Sequence, residues 1–566
     1  MIHDLEQLGD RTDVAFDLCV IGAGPAGITI ADELRGSGLK VCLVESGGLQ
    51  EEAAARDLLL GESVGHPMDL DHGRHRVFGG AATRWGGRSA TLDPIDLQCR
   101  DWVKNSGWPI DYAHLGPYYE RAKRASNFKH PWAPFEQVQS ALGIQLPTLA
   151  SGDLDPFVWR VASPDWDPTL QSYLSLGYRS VFDWGKVYRG RLAADRDTFV
   201  LLHANVTTFH DTDDGARVEA ITVRSLGGKS MTIRARAFAL CCGGIENVRL
   251  LLNAPPRLLN RVNQFDRLGR YFSQHPRGCI ATIDADEANA KALQHLYNTF
   301  LRPMRDGEVQ YETGFAISER AQREHQLLNS SAAIYYHARP DTVWEASRRV
   351  RDAVKSGNID RSTFRDLQRA LVGVAAEIPN IARRFVLGRS VIHRDPLISI
   401  CIDLEQEPDP ESRITLSADR DALGMRRAKV DWRIAEKERR TARYFGKFVG
   451  FELERLGFGR VRQADWLSSS DAISVDDLRG TYHFLSGTRM SRHPRDGVVD
   501  ENCRAHGAEN LYLAGTSVFT TGGHANPTLT IVALAIRLAD HLRAELRNRA
   551  TAHGRVPTLA AVAAAE

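Results

Sequence analysis

Read for apolar and polar alternation, the chain begins its regular structure at residues 16–21, FDLCVI. This run is apolar on both faces and short, the pattern of a buried parallel strand. A glycine-rich turn follows, then helical spacing through about Leu34, then a second strand at Lys40–Val44. Together they predict a βαβ unit of about thirty residues. Residues 73–110 are dense in Gly, Arg and Trp and read as an ordered loop. Strand patterning returns from about 200 to 245 and ends at FALCCGG. Residues 341–390 combine helical apolar spacing with many arginines and predict an inserted pair of helices. A solvated helical face is the plain reading of that insertion, and a partner, membrane-surface or lid role is the alternative. Residues 396–433 read as strands, through PLISICIDLEQ, RITL and AKVDW. The Ala-rich tail after about 548 is expected to be disordered. No internal repeat is visible.

At 566 residues the chain is too long for one compact core, and two intimately joined domains are expected. With 43% hydrophobic and 25% charged residues, the composition is that of a soluble globular protein. A net charge of +1 gives no bulk attraction to nucleic acid or to an anionic membrane. The eight cysteines are scattered without a CxxC spacing, so neither a metal site nor a disulfide framework is expected. The first ten residues are polar, unlike a signal peptide. No apolar run is long enough to span a membrane. A cytoplasmic location is the expectation.

The chemistry starts at Gly22-Ala23-Gly24-Pro25-Ala26-Gly27, a GxGxxG turn between strand and helix. Gly22 permits the tight turn, Gly24 lets backbone approach a pyrophosphate, and Gly27 lets helix and strand pack closely. The helix start then offers unpaired N–H groups to phosphate. Glu45, 18 residues after Gly27, ends the second strand, where a carboxylate can take ribose hydroxyls. The turn alone does not separate FAD from NAD. Far downstream, Glu509–Thr516 reads as a strand running into the Gly515 turn. Such a late return to the nucleotide domain is a habit of large flavoproteins.

Three stretches then resemble the glucose–methanol–choline (GMC) oxidoreductase family. They are the N-terminal turn, the loop GGAATRWGGRSATLDPIDL with Trp108-Pro109, and the run from Tyr482 to Leu542. In the last, HFLSGTRMS, GVVD, NLYLAG and ANPTLT follow one another as in the bacterial branch related to pyranose and glycoside oxidases. The resemblance implies an α/β fold: a Rossmann-like FAD-binding domain with an α+β substrate domain of mixed sheet and helices. The blocks expected are 14–120, 196–280 and 476–548 for FAD, 121–195 as a cap segment, and 281–475 for substrate. It also implies FAD as cofactor and oxidation of a sugar or glycoside hydroxyl. Another alcohol, such as an aminoglycoside-type product or a polyol, or a catalytically silent flavoprotein, is the alternative.

By the same resemblance His483 is the base that takes the hydroxyl proton, and Asn526 orients the substrate oxygen. His524 competes as a substrate contact or alternative base. Ser486 and Gly487 stand where the family usually has Gly and Thr. His275 reads as a structural position. Asn526, Pro527 and Thr528 open a helix, with Asn as cap and Pro at its first position. The loop Gly79, Gly80, Thr83, Trp85, Gly86 and Gly87 should run along the isoalloxazine. Val206 and Gly243 are further cofactor contacts. Some relatives bind FAD covalently through a histidine in this loop. Arg84 takes its place here, so a non-covalent cofactor is expected. The electron acceptor, oxygen or a quinone or dye, and the oligomeric state stay open.

Overall fold

The computed structural model describes residues 1–8, 13–128, 132, 135–162, 182–304, 307–339, 342–385 and 390–550. The Ala-rich tail lies outside them from residue 551 onward.

The strand expected at 16–21 spans Asp13–Ile21, longer than its apolar run, and lies in the middle of an eight-stranded sheet. Phe16, Leu18, Cys19 and Val20 are buried, as a strand covered on both faces requires. The strands Ile2–Asp4, Thr198–Leu202, Val41–Val44, Asp13–Ile21 and Ser230–Leu240 lie side by side in parallel. Val218–Arg224 and Asn205–Asp211 extend the sheet in antiparallel fashion. Leu511–Leu513 returns to pair in parallel with the end of Ser230–Leu240. The helix Pro25–Glu33 packs on this sheet beside the helix Thr528–Ala550. The latter is buried on every side from Val532 to Ala539, as an apolar helix inside a large core is.

A second sheet has nine strands, all paired antiparallel among the described residues. In its strand Leu397–Leu404, Ile398, Ile400, Ile402 and Leu404 point into a core with Ala442, Phe445, Val449 and Leu453 of the helix Glu436–Arg455. The strand period of two turns the intervening residues to the other face. There Asp403 lies opposite Arg277 in register, and that face becomes one wall of the site.

The expected blocks interleave more finely than the sequence pattern indicates. Arg88–Ser89, expected in the first FAD block, pairs with Leu154–Val161 at the edge of the nine-stranded sheet. Arg413–Arg420 and Arg426–Trp432, expected in the substrate block, form a small sheet with Glu62–Gly65. Their Ile414, Ala428, Val430 and Trp432 belong to the core built around the eight-stranded sheet. Within the cap segment, the helix Trp184–Ala194 puts Trp184, Tyr188 and Leu192 into that same core. Local patterning reads strands well but does not report which sheet a strand joins. The insertion forms the helices Val343–Ser356 and Arg361–Phe385. No helix among the described residues is long and apolar enough to cross a membrane.

Candidate active site

The strand Asp13–Ile21 delivers the chain into the GxGxxG turn. Gly22 has φ +103°, and a Cβ there would lie 2.7 Å from the Cys241 carbonyl oxygen. A Cβ on Gly27 would lie 1.9 Å from the Gly22 oxygen, so helix and turn close on each other only with glycine at both positions. Gly24 has no atom within 4 Å of its Cβ position and opens onto a cavity of about 500 Å³. The helix Pro25–Glu33 starts here without a side-chain cap. The helix Gly243–Leu252 also starts on the cavity, again without a side-chain cap. Two helix ends thus present N–H groups to one space, a setting for phosphate.

Glu45 lines the cavity and is buried. Its Oε2 accepts from the Ala23 N–H at 2.9 Å and its Oε1 from the Gly47 N–H at 2.9 Å. Burial raises its pKa, against the pull of those two donors and Arg76. Besides facing the cavity, this carboxylate therefore holds the glycine turn in shape, a role the motif spacing does not reveal.

Of the loop residues, Gly80, Trp85, Gly86 and Gly87 line the cavity. Gly79, Thr83 and Gly27 are not lining residues. Gly79 donates to the Ala23 carbonyl at 2.8 Å, and Thr83 Oγ1 donates to the Gly80 carbonyl at 2.9 Å. Gly79 thus braces the loop against the GxGxxG turn, and Thr83 closes the loop on itself. Trp85 Nε1 donates to the Phe182 carbonyl at 2.7 Å. Arg84 is largely exposed and pairs with Glu51 at 2.8 Å. Pro25, Ala26, Val206, Gly243, Gly515, Asn526, Pro527 and Thr528 all line the same space. The last helix opens one residue later than expected. Ile531 donates to the Pro527 carbonyl at 2.9 Å, which makes Pro527 the cap and Thr528 the first helical residue.

A buried ion cluster here escaped the sequence reading. Glu246 accepts from Arg74, Arg76 and Arg249 at 2.9, 2.9 and 2.6 Å. Burial opposes its charge, but the three guanidiniums hold its pKa down to about 2. Arg249 also bonds Asp421, so helix Gly243–Leu252 is tied both to the loop and to the small sheet. Its members come from three separated segments, so no spacing could announce them. His75 was missed as well. It lines the cavity with Nδ1 2.9 Å from Glu51 Oε1.

His483 and Asn526 line the same space. His483 Nδ1 lies 2.8 Å from His275 Nδ1 and 3.1 Å from Thr481 Oγ1. Hydrogen-bond accounting fixes the proton. Thr481 Oγ1 donates to the His275 carbonyl at 2.9 Å, so toward His483 it accepts. His275 Nε2 donates to the Gly522 carbonyl at 3.3 Å, so its Nδ1 accepts. Both partners require a proton on His483 Nδ1, and its Nε2 keeps the free lone pair. Nε2 has no hydrogen-bond partner among the described residues. Burial lowers the pKa of His275 to about 4. Burial and the neighbouring His275 lower that of His483 well below the usual imidazole value. Both rings are neutral at pH 7, and His483 is an unprotonated base. His275, set aside as structural from sequence, thus fixes the tautomer of that base.

The nine-stranded sheet contributes Arg88 and Arg277 to the lining. Arg277 makes a bidentate pair with Asp403 at 2.6 and 2.8 Å, and Arg88 lies 3.2 Å from Glu312 and stacks on Trp159. His524 is placed elsewhere. It is not among the lining residues, is 3% exposed, and has Nε2 3.3 Å from Asp93. Burial disfavours its charge, but Asp93 overcomes this and raises its pKa. Asn329 ties the same Asp93 to Asp96, so His524 belongs to a buried polar network next to the cavity wall. Among the described residues no group of three or more His, Cys, Asp or Glu could hold a metal ion.

Residues 408–535 match the family model described as GMC oxidoreductase. The chain is 25% identical to 6'''-hydroxyparomomycin C oxidase of Streptomyces lividus, over 94% of this chain and 93% of that one. It is also 25% identical to the fructose dehydrogenase large subunit of Gluconobacter japonicus, over 94% and 99%. A fungal aryl-alcohol oxidase structure superposes with a TM-score of 0.56 at 14% identity, covering 95% of this chain and all of that one.

Proposed function

We propose that the chain is a GMC oxidoreductase and that it oxidises a hydroxyl group of a sugar or glycoside to a carbonyl, with His483 as the base and FAD as the cofactor. The observation that carries this reading is the pinned tautomer of His483. A ring held through Nδ1 and kept neutral by burial has its lone pair available on the cavity that Asn526 also lines.

The residues present fit FAD. The two uncapped helix starts at Gly24 and Cys242 suit a pyrophosphate, and Glu45 is placed for ribose hydroxyls. When bound, the flavin supplies the hydride acceptor. The protein's own groups handle the proton and the orientation. His483 Nε2 accepts the hydroxyl proton. The imidazolium so formed strengthens its Nδ1–H bond to the His275 lone pair, which stabilises the charge as it develops. Asn526 orients the substrate oxygen and supports developing alkoxide charge. We further propose that FAD is held without a covalent bond, because Arg84 replaces the loop histidine and His75 is engaged by Glu51. The reading places the enzyme in the cytoplasm, with oxygen or a quinone as acceptor.

The test is anaerobic addition of a panel of sugars, glycosides, aminoglycosides and polyols to the yellow holoprotein. Bleaching by a sugar or glycoside supports the proposal. Bleaching only by an aminoglycoside or polyol moves the substrate class, and no bleaching by any hydroxyl compound leaves a silent flavoprotein. Oxygen and a dye assayed in parallel identify the acceptor.

A further inference from the structure

We propose that the helical insertion formed by Val343–Ser356 and Arg361–Phe385 docks the protein on an anionic lipid bilayer. The long helix has two different sides. Asp366, Ala370 and Gly373 face the shorter helix. Arg349 bonds Asp366 there at 2.7 Å, and a Cβ on Gly373 would lie 2.1 Å from Val343 Cγ2. The opposite side carries Phe364, Leu367, Leu371 and Ile378, an i, i+3, i+7, i+14 stripe that points away from the protein. Phe364 is 66% exposed, Leu371 67% and the adjoining Val372 79%. Val354 and Ile359, at the turn between the helices, are also exposed. A face that only met water would carry polar side chains at these positions, and a contiguous apolar patch marks a contact surface.

The charge beside the stripe selects the occupant. Residues 342–390 hold ten basic and five acidic side chains, while the whole chain is nearly neutral at +1. The exposed Arg361, Arg365 and Arg369 run along one flank of the stripe. Arg361 and Arg365 have no carboxylate within ion-pair distance among the described residues. An apolar ridge with a basic flank is the pattern of a helix that lies in a membrane interface. There the apolar side chains enter the acyl boundary and the arginines meet lipid phosphates. The helix is too polar to span, so attachment is peripheral and reversible. The insertion supplies no residue to the cavity lining, so docking and chemistry can be tested apart.

The experiment is co-sedimentation of the FAD-loaded protein with vesicles of phosphatidylcholine alone or mixed with phosphatidylglycerol, at low and high salt. The expected result is binding to the anionic vesicles only, weakened by salt. One variant carries Phe364→Ser, Leu371→Ser and Val372→Ser; another carries Arg361→Glu and Arg365→Glu. Each should weaken binding about tenfold or more, with flavin content and substrate bleaching unchanged. Three results overturn the proposal. They are no binding to anionic vesicles at low salt, equal binding to neutral vesicles, and binding indifferent to both variants. A concentration-dependent dimer that the serine variant dissolves also overturns it, and assigns the face to a second copy of this chain.

Discussion

His275 and His483, 208 positions apart in the chain, meet Nδ1 to Nδ1 at 2.8 Å. One ring thereby sets the protonation of the other. His483→Ala should slow flavin reduction by about 10²–10⁴-fold while FAD stays bound. His275→Ala leaves the base in place but releases its tautomer, and a smaller loss of about 10–100-fold is expected. Anaerobic stopped-flow reduction of both variants checks this. Equal rates for His275→Ala and wild type would remove the tautomer argument.

The same pair sets a pH dependence. Because burial depresses the pKa of His483, its base form persists below the usual imidazole range. The acidic limb of the reduction rate should therefore lie below pH 6.5. Stability follows the same sign. The unfolded chain protonates His275 at about pH 6.5, the folded chain only at about 4. Between these values the unfolded state binds more protons, so stability falls as pH is lowered through that window, by about 3 kcal/mol. Thermal unfolding between pH 7 and 4 measures it. His275→Leu should flatten the slope, and a variant that keeps the full wild-type slope would contradict this origin.

Glu45→Lys should purify without colour. Its carboxylate holds the Ala23 and Gly47 N–H groups and faces the proposed ribose position, and lysine reverses all three interactions. Charge-assisted hydrogen bonds of this kind contribute on the order of 1.5–3 kcal/mol each. Flavin content per chain after gel filtration in FAD-free buffer is the measurement, and full occupancy would remove Glu45 from the cofactor site.

Acid precipitation of the holoprotein should release all yellow colour to the supernatant. Colour retained in the pellet would mean a covalent bond, and peptide mapping should then look first at His75, which lines the cavity.

His524→Ala should act on stability more than on chemistry. The side chain meets Asp93 and is not a lining residue, so its loss leaves a carboxylate without its cation. A cost of about 1–3 kcal/mol in unfolding is expected, with flavin reduction within a few-fold of wild type. A large loss of the reductive step with unchanged stability would return His524 to the catalytic pair.

The shape of the GxGxxG turn was legible because its logic is local. Gly22, Gly24 and Gly27 sit within one βαβ unit, and short-range sterics dictate each. The helical insertion was legible for the same reason, its period of 3.6 being written in consecutive residues. The contact between His275 and His483 was not, since nothing near either residue encodes a neighbour two hundred positions away. Nor was the cluster around Glu246, assembled from the loop, a helix and the small sheet. The resemblance pointed to His483 but not to the ring that holds its tautomer. It also drew attention to His524, whose place beside Asp93 only the packing decides.

The pairing of Leu511–Leu513 with Phe238–Leu240 has a consequence for biosynthesis. On a ribosome, Asp13–Ile21 and Ser230–Leu240 emerge early and can associate. The outer edge of Phe238–Leu240 then waits for a strand made nearly three hundred residues later. Until that strand arrives, a hydrophobic edge stands open, the kind of surface on which nascent chains stick to one another. Messages cut short before residue 511 should therefore yield insoluble protein and not a colourless soluble one. Slow translation through the intervening residues should increase the demand for chaperones.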